Sequence, residues 1–105
     1  GQVLAVVTAK AGDRAAPIVI HLIEWGARGQ PFVLKLRRTY FGGRRRRSYE
    51  LLTPAPYDRT AHRQAERSGD FSRLCRRRRL AARGVGIVQL VKVPALDPWG
   101  ILVVR

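Results

Sequence analysis

Acidic side chains are what this sequence has least of for its length. Seven Asp and Glu stand against 21 Lys and Arg, a formal net charge of +14 on 105 residues. Hydrolysis by paired carboxylates needs two acids brought together in a motif. Asp13, Glu24, Glu50, Asp58, Glu66, Asp70 and Asp97 form no such pair in the sequence. Cys75 is the single cysteine, so an intrachain disulfide and a Cys-rich metal site are both excluded. His21 and His62 stand far apart and give a zinc cluster no support. No Gly-rich loop of the P-loop or dinucleotide type is present, and Gly26-Ala27-Arg28-Gly29 reads as a turn. No apolar run approaches the ~20 residues that a membrane span needs. The expectation is therefore a protein that is not an enzyme. It has no catalytic residues, no cofactor, no metal, no membrane partner and no small-molecule substrate.

Arginine is what the sequence has in excess. Only Lys10, Lys35 and Lys92 are lysines, so 18 of the 21 basic residues are Arg. Guanidinium groups take phosphate oxygens in pairs and stack on bases, which ammonium does less well. High genomic GC content also favours Arg over Lys, but it does not explain the scarcity of acids. A charge of +14 repels itself, and a polyanion beside the chain would relieve that strain.

Taken in order, the chain offers several short apolar runs. Val3–Val7 reads as a strand or extended arm, with a turn at Gly12-Asp13. Ile18–Ile23, opened by Pro17, is β-branched and reads as a strand covered on both faces. After Pro31, Phe32, Leu34 and Leu36 alternate with Val33, Lys35 and Arg37. That period of two predicts an apolar face inward and a basic face outward. The two runs read as neighbouring strands joined by a loop of about eight residues. Arg37 to Arg47 then holds six arginines, two aromatics and two glycines. Aromatics beside Arg suit stacking on exposed bases while the guanidinium groups bridge phosphates. Ser48–Leu52 reads as a third strand, with Tyr49 and Leu51 sharing one face, and Pro54 and Pro56 ending it.

The second half is more basic. Tyr57 to Gly69 is polar and reads as weakly helical or loop, with Arg59, Arg63 and Arg67 at steps of four. Asp70 can cap a following helix, in which Phe71, Leu74, Cys75, Arg78, Ala81 and Ala82 fall on one stripe and Gly84 makes the stop. Cys75 on that stripe reads as a core residue. Ile87–Val93 fits strand or helix, and Ile101–Val104 reads as extended.

The stretch Ile18 to Arg47 also resembles a family. Ile20-His21-Leu22, Gly26-Ala27-Arg28 and Pro31-Phe32 fall at the spacing Ile-x-Leu-x-x-x-Gly-Ala-Lys/Arg-x-x-Pro-Phe. That is similar to the opening of the bacterial and organellar small-subunit ribosomal protein number sixteen. Without a gap, Arg44, Arg47 and Glu50 match its Arg-Asn-Gly-Arg-Phe-Ile-Glu loop. Leu80 to Val85 loosely resembles its Trp-Leu/Ile-x-x-Gly-Ala helix end. The match is good from Ile18 to Pro56 and loose from Leu80 to about Ala95. Departures lie at Ser48-Tyr49, Thr53, Ala55-Pro56-Tyr57 and Leu80.

The resemblance implies an α+β fold: a small sheet of about four strands with one or two packed helical segments and extended terminal arms. It implies one ribosomal-protein domain over 1–105. Within it, 1–16 is an amino-terminal extension and 17–56 a strand core with the basic loop. A polar segment and Arg-rich helix occupy 57–84, and 85–105 is a carboxy-terminal extension. The implied function is structural, binding and compacting small-subunit rRNA beside neighbouring small-subunit ribosomal proteins. The phosphate-contact candidates are Arg28, Arg37, Arg38, Arg44, Arg45, Arg46, Arg47, Arg76, Arg77, Arg78 and Arg79, and the stacking candidates are Tyr40 and Phe41. His21 aligns with a basic position of the family. The divergence suggests a mitochondrial ribosome, with the bacterial cytoplasm as the alternative, and the chain's start at Gly1-Gln2-Val3 rather than Met leaves room for a removed targeting peptide. Two rivals are a free-standing basic nucleic-acid-binding module of the RNA-chaperone or chromatin type, and a small nuclease using Glu24 or Glu50 with a metal.

Overall fold

The computed structural model describes residues 2–10, 12–13, 16–25, 29–41, 48–71, 74–96 and 99–105. Its strands are β1 (Gln2–Thr8), β2 (Ile18–Trp25), β3 (Phe32–Arg37), β4 (Tyr49–Pro54), β5 (Cys75–Arg79), β6 (Ala82–Val85), β7 (Val88–Val93) and β8 (Trp99–Val104). A short 3-10 helix covers Arg38–Phe41, and one α-helix, α1, covers Arg59–Ser68. The strands form a five-stranded sheet in the order β1-β2-β8-β4-β5 and a three-stranded sheet in the order β3-β7-β6. Every pairing is antiparallel. The α+β expectation is overturned: the described residues are mostly β, 55% strand against 15% helix.

Alternation explains both layers. Ile18, Ile20 and Leu22 on β2 are buried, as are Tyr49 and Leu51 on β4 and Leu102 and Val104 on β8. On the other sheet Leu36, Val91 and Val93 are buried, with Phe32 and Leu34 packed against the same cluster. Leu80 and Leu96, at the connections, complete it. One apolar layer is thus held between two sheets, which suits the thinnest extent of 20 Å. The inward face foreseen for Phe32, Leu34 and Leu36 is the one observed, and Tyr49 and Leu51 do share a buried face. Ile18–Ile23 is covered on one face, not both, since His21 and Ile23 are exposed. His21 therefore stands exposed on the outer face.

Other expectations are corrected by topology. β2 and β3 are not neighbours but lie in different sheets. Each has a buried apolar face that must be covered, and placing them in opposite layers lets both faces enter one shared apolar cluster. Two chain crossings meet where this happens. A Cβ on Gly29 would lie 2.5 Å from the Leu96 carbonyl oxygen, so the β2–β3 and β7–β8 connections pass too closely for a side chain there. The terminal segments are not loose arms. β1 pairs with β2 over its whole length, and β8 is the middle strand of the larger sheet. Ile87–Val93, open between helix and strand, resolves as β7 after a turn in which Gly86 has φ +59°.

The Arg-rich helix expected after Asp70 does not form. Cys75–Arg79 is instead strand β5, paired with β4 from Pro54↔Cys75 to Glu50↔Arg79. Consecutive arginines in a helix would stack like charges at i, i+3 and i, i+4, which destabilises it. A strand sends them alternately to opposite faces, and β4 gains the partner its outer edge lacks. The helix that does form is α1 in the polar segment. Asp58 caps it, its carboxylate accepting from Thr60 N–H at 2.9 Å and Ala61 N–H at 3.3 Å. Gly69 ends it in the left-handed region, with φ 73°.

The fully buried Leu102 sits on the central strand, so Leu102→Ala is expected to cost about 2–5 kcal/mol of stability. Urea unfolding at moderate salt, where charge repulsion is screened, measures it.

Candidate nucleic-acid interface

The three-stranded sheet covers only the middle of the five-stranded one. β2, β8 and β4 bury their inner faces, whereas β1 and β5 overhang on either side and stay exposed. The β5 flank is the basic one. Arg76, Arg77, Arg78 and Arg79 are all exposed along it. By register, Arg77 and Arg79 share the outer face with Leu52 and Glu50, while Arg76 and Arg78 share the inner face with Thr53 and Leu51. Guanidinium groups thus project from both sides of an edge that has no neighbouring strand among the described residues. A helix would have wrapped them around a cylinder; a strand sets successive same-face groups about 7 Å apart, close to phosphate spacing along a nucleic-acid backbone.

Glu50 is the carboxylate set against this edge. Its Oε1 lies 3.9 Å from Arg77 Nη1, a long and partly solvated pair. Leu80 N–H donates to the Tyr49 carbonyl at 2.8 Å, which holds the Arg79 end of β5 beside the start of β4. Ser48 and Arg105 exchange backbone hydrogen bonds at 3.1 and 3.0 Å. Arg79, Arg105 and the residue at which the basic loop rejoins the sheet therefore gather at one end of the sheet.

A second basic surface lies on the outer face of the three-stranded sheet. The register aligns Lys35, Leu90 and Arg83 in one row and Arg37, Val88 and Val85 in another. Lys92 pairs with Val33 on the same face. A hollow of about 300 Å³ there is lined by Val33, Ala81, Ala82, Arg83, Leu90 and Lys92, an apolar floor with two cations at its rim. Arg38 N–H donates to the Ile87 carbonyl at 2.9 Å, fixing the 3-10 helix against the β6–β7 turn.

The candidate residues are thus distributed as follows. Arg76, Arg77, Arg78 and Arg79 stand together on β5; Arg37 and Arg38 stand together at the end of β3. Tyr40 and Phe41 lie in the 3-10 helix, with side chains outside what is described. Arg28, Arg44, Arg45, Arg46 and Arg47 lie outside the described residues. Sequence reasoning passed over Lys35, Arg83 and Lys92 as one surface, because only strand register brings β3, β6 and β7 side by side. It also passed over Tyr57, which is 77% exposed with its ring centroid 4.8 Å from that of His62. Arg59 and Arg63 follow on α1 and are exposed. The one available signal was an aromatic placed directly before a capping Asp.

For the carboxylates, Val103 pairs with both Val19 and Glu50, which sets Glu50 level with Val19. Glu24 is five residues further along β2, roughly 17 Å away along the strand direction. Glu24 and Glu50 therefore form no carboxylate pair. Among the described residues, no group of three or more His, Cys, Asp and Glu could hold a metal ion, and no helix is long and apolar enough to cross a membrane. No protein-family model, no curated protein and no solved structure matches the chain.

The α1 arginines depend on Asp58, since Ala65 is the helix's one buried residue. Asp58→Ala is expected to cost the helix about 1 kcal/mol, roughly a fivefold rise in local opening. Faster amide exchange across Arg59–Ser68, with β4 unchanged, reads it out.

Proposed function

We propose that this protein is a structural RNA-binding protein and a constituent of a small ribosomal subunit, mitochondrial by preference. Its partners there would be small-subunit rRNA and neighbouring ribosomal proteins. The observation that carries the RNA-binding reading is the β5 flank. Four consecutive exposed arginines line a free sheet edge, with Glu50 as a weakly engaged counter-charge. The role follows from that chemistry. Arginines on a rigid edge neutralise closely spaced phosphates, release their counterions and hold RNA segments together, with recognition resting on backbone and shape. The particle is named by the gapless spacing from Ile20 to Glu50. That support comes from residues alone, because the two-sheet fold differs from the α+β fold the resemblance implies.

A second reading has its own observation. The apolar cluster is closed by the chain's own two sheets, so a separately folded, free-standing nucleic-acid-binding module is consistent with it. Sucrose-gradient sedimentation of an organelle or cell lysate separates the two. The ribosomal reading expects the chain to travel with the small subunit through moderate salt. Release to the top of the gradient favours the free module.

Binding itself is tested by salt titration. Replacing Arg76, Arg77, Arg78 and Arg79 by Ala is expected to flatten the log K against log salt slope by about 3, with affinity falling across RNA sequences alike. Glu50→Gln is expected to act in the opposite direction, tightening RNA binding while changing stability by less than about 1 kcal/mol. Filter binding and urea unfolding give the two readouts.

A further inference from the structure

Among the described residues four strands border the two sheets, and three of them carry features that discourage pairing with another chain. β5 has its four arginines. β3 follows Pro31 and carries Lys35 and Arg37. β6 is only four residues long and carries Arg83. Short length, charge and proline are the usual protections of a free edge. β1 has none of them. It runs seven residues, Gln2 to Thr8, with no charge and no proline. Val3, Leu4, Val6 and Val7 are 37–48% exposed along it, and Ile23 and Trp25 extend the apolar surface onto β2.

We propose that β1 is a dimerisation strand, pairing antiparallel with β1 of a second copy about a twofold axis at Ala5. The strand's own pattern selects that occupant. With the axis at Ala5, Leu4 faces Val6 of the partner copy on the outer side, and Val3 faces Val7 on the inner side. Gln2 and Thr8, the polar ends, face each other. Every apolar side chain meets an apolar one, so the edge is complementary to itself, as an isologous interface requires. The two five-stranded sheets become one continuous sheet.

Charge permits this meeting at β1. Each copy carries +14, yet no guanidinium lies on the strand. The arginines of β5 are four strand spacings away across the sheet, roughly 19 Å. That exceeds the Debye length of about 8 Å at physiological salt. Residual repulsion is screened by salt, so association strengthens as salt rises, the reverse of RNA binding. A single strand edge makes a small interface, and the dimer is accordingly concentration-dependent.

Sedimentation equilibrium of the full chain, stripped of nucleic acid, tests this independently of the RNA reading. The expected result is a mass that rises from one copy to two with concentration and with salt. Leu4→Lys with Val6→Lys sets like charges across the axis and is expected to leave a monomer. Leu4→Glu with Val6→Lys sets opposite charges across it and is expected to restore the dimer. Both positions are exposed, and unchanged circular dichroism checks that the variants fold. In a Cys75→Ser background, Ala5→Cys is expected to give a disulfide-linked dimer on mild oxidation, and Thr8→Cys is not. A chain that stays monomeric at every concentration and salt overturns the proposal and leaves the edge to a strand of another protein. A dimer that survives the paired lysines, or that cross-links at Thr8→Cys but not at Ala5→Cys, overturns it as well.

Discussion

The apolar layer between β2, β8 and β4 on one side and β3 and β7 on the other is what the remaining structure depends on. Ile20, Leu22, Leu51, Leu102, Val91, Val93 and Val104 are the large side chains most completely withdrawn from water there. Each fully buried aliphatic side chain of this size favours folding by about 1.5–3 kcal/mol. Only three of the larger sheet's five strands, β2, β8 and β4, contribute side chains to that layer. The two strands left over, β1 and β5, cannot be stabilised by that layer. They are held by backbone pairing and by whatever meets their exposed sides.

That inequality sorts the molecule's surface. One flank is uncharged and the other is arginine on every side chain from Arg76 to Arg79. Cations crowded on a buried face would be costly to desolvate. On an overhanging flank they stay hydrated. The same physics keeps Lys35, Arg37, Arg83 and Lys92 on the outer face of the smaller sheet, where rows of Val and Leu between them give their stems apolar surface to lie on. The two cationic surfaces are displayed by different sheets of one rigid sandwich, so their separation is set by the core and not by a linker.

How much of this was legible in the sequence differs by element. Phe32–Arg37 was readable because strict alternation encodes both the strand and its buried side, and Tyr49–Leu51 was readable for the same reason. Adjacency was not. A loop of the length between Trp25 and Phe32 serves either a hairpin or a crossing between layers, and only the need to cover two apolar faces chooses the crossing. Cys75–Arg79 misled most. Arg, Leu and Ala all rank high in helix propensity, and the preceding Asp70 suits a cap. The unpaired edge of β4 outweighed that local preference, a tertiary effect that a window of sequence does not contain. The basic character of the candidate interface was plain from composition, whereas its arrangement as a strand edge and a sheet face required the register.

The position of β8 has a kinetic side. Among the described residues it is the last of eight strands and the middle strand of its sheet, joining β2 through Ile18↔Val104 and β4 through Tyr49↔Val104. Until β8 emerges during synthesis, β2 and β4 have no common neighbour, and their apolar faces wait in a chain already dense with positive charge. Loops that long are slow to close. The self-repulsion that burdens the finished fold would meanwhile keep the nascent chain expanded and soluble, delaying collapse onto the wrong strand until the right one exists.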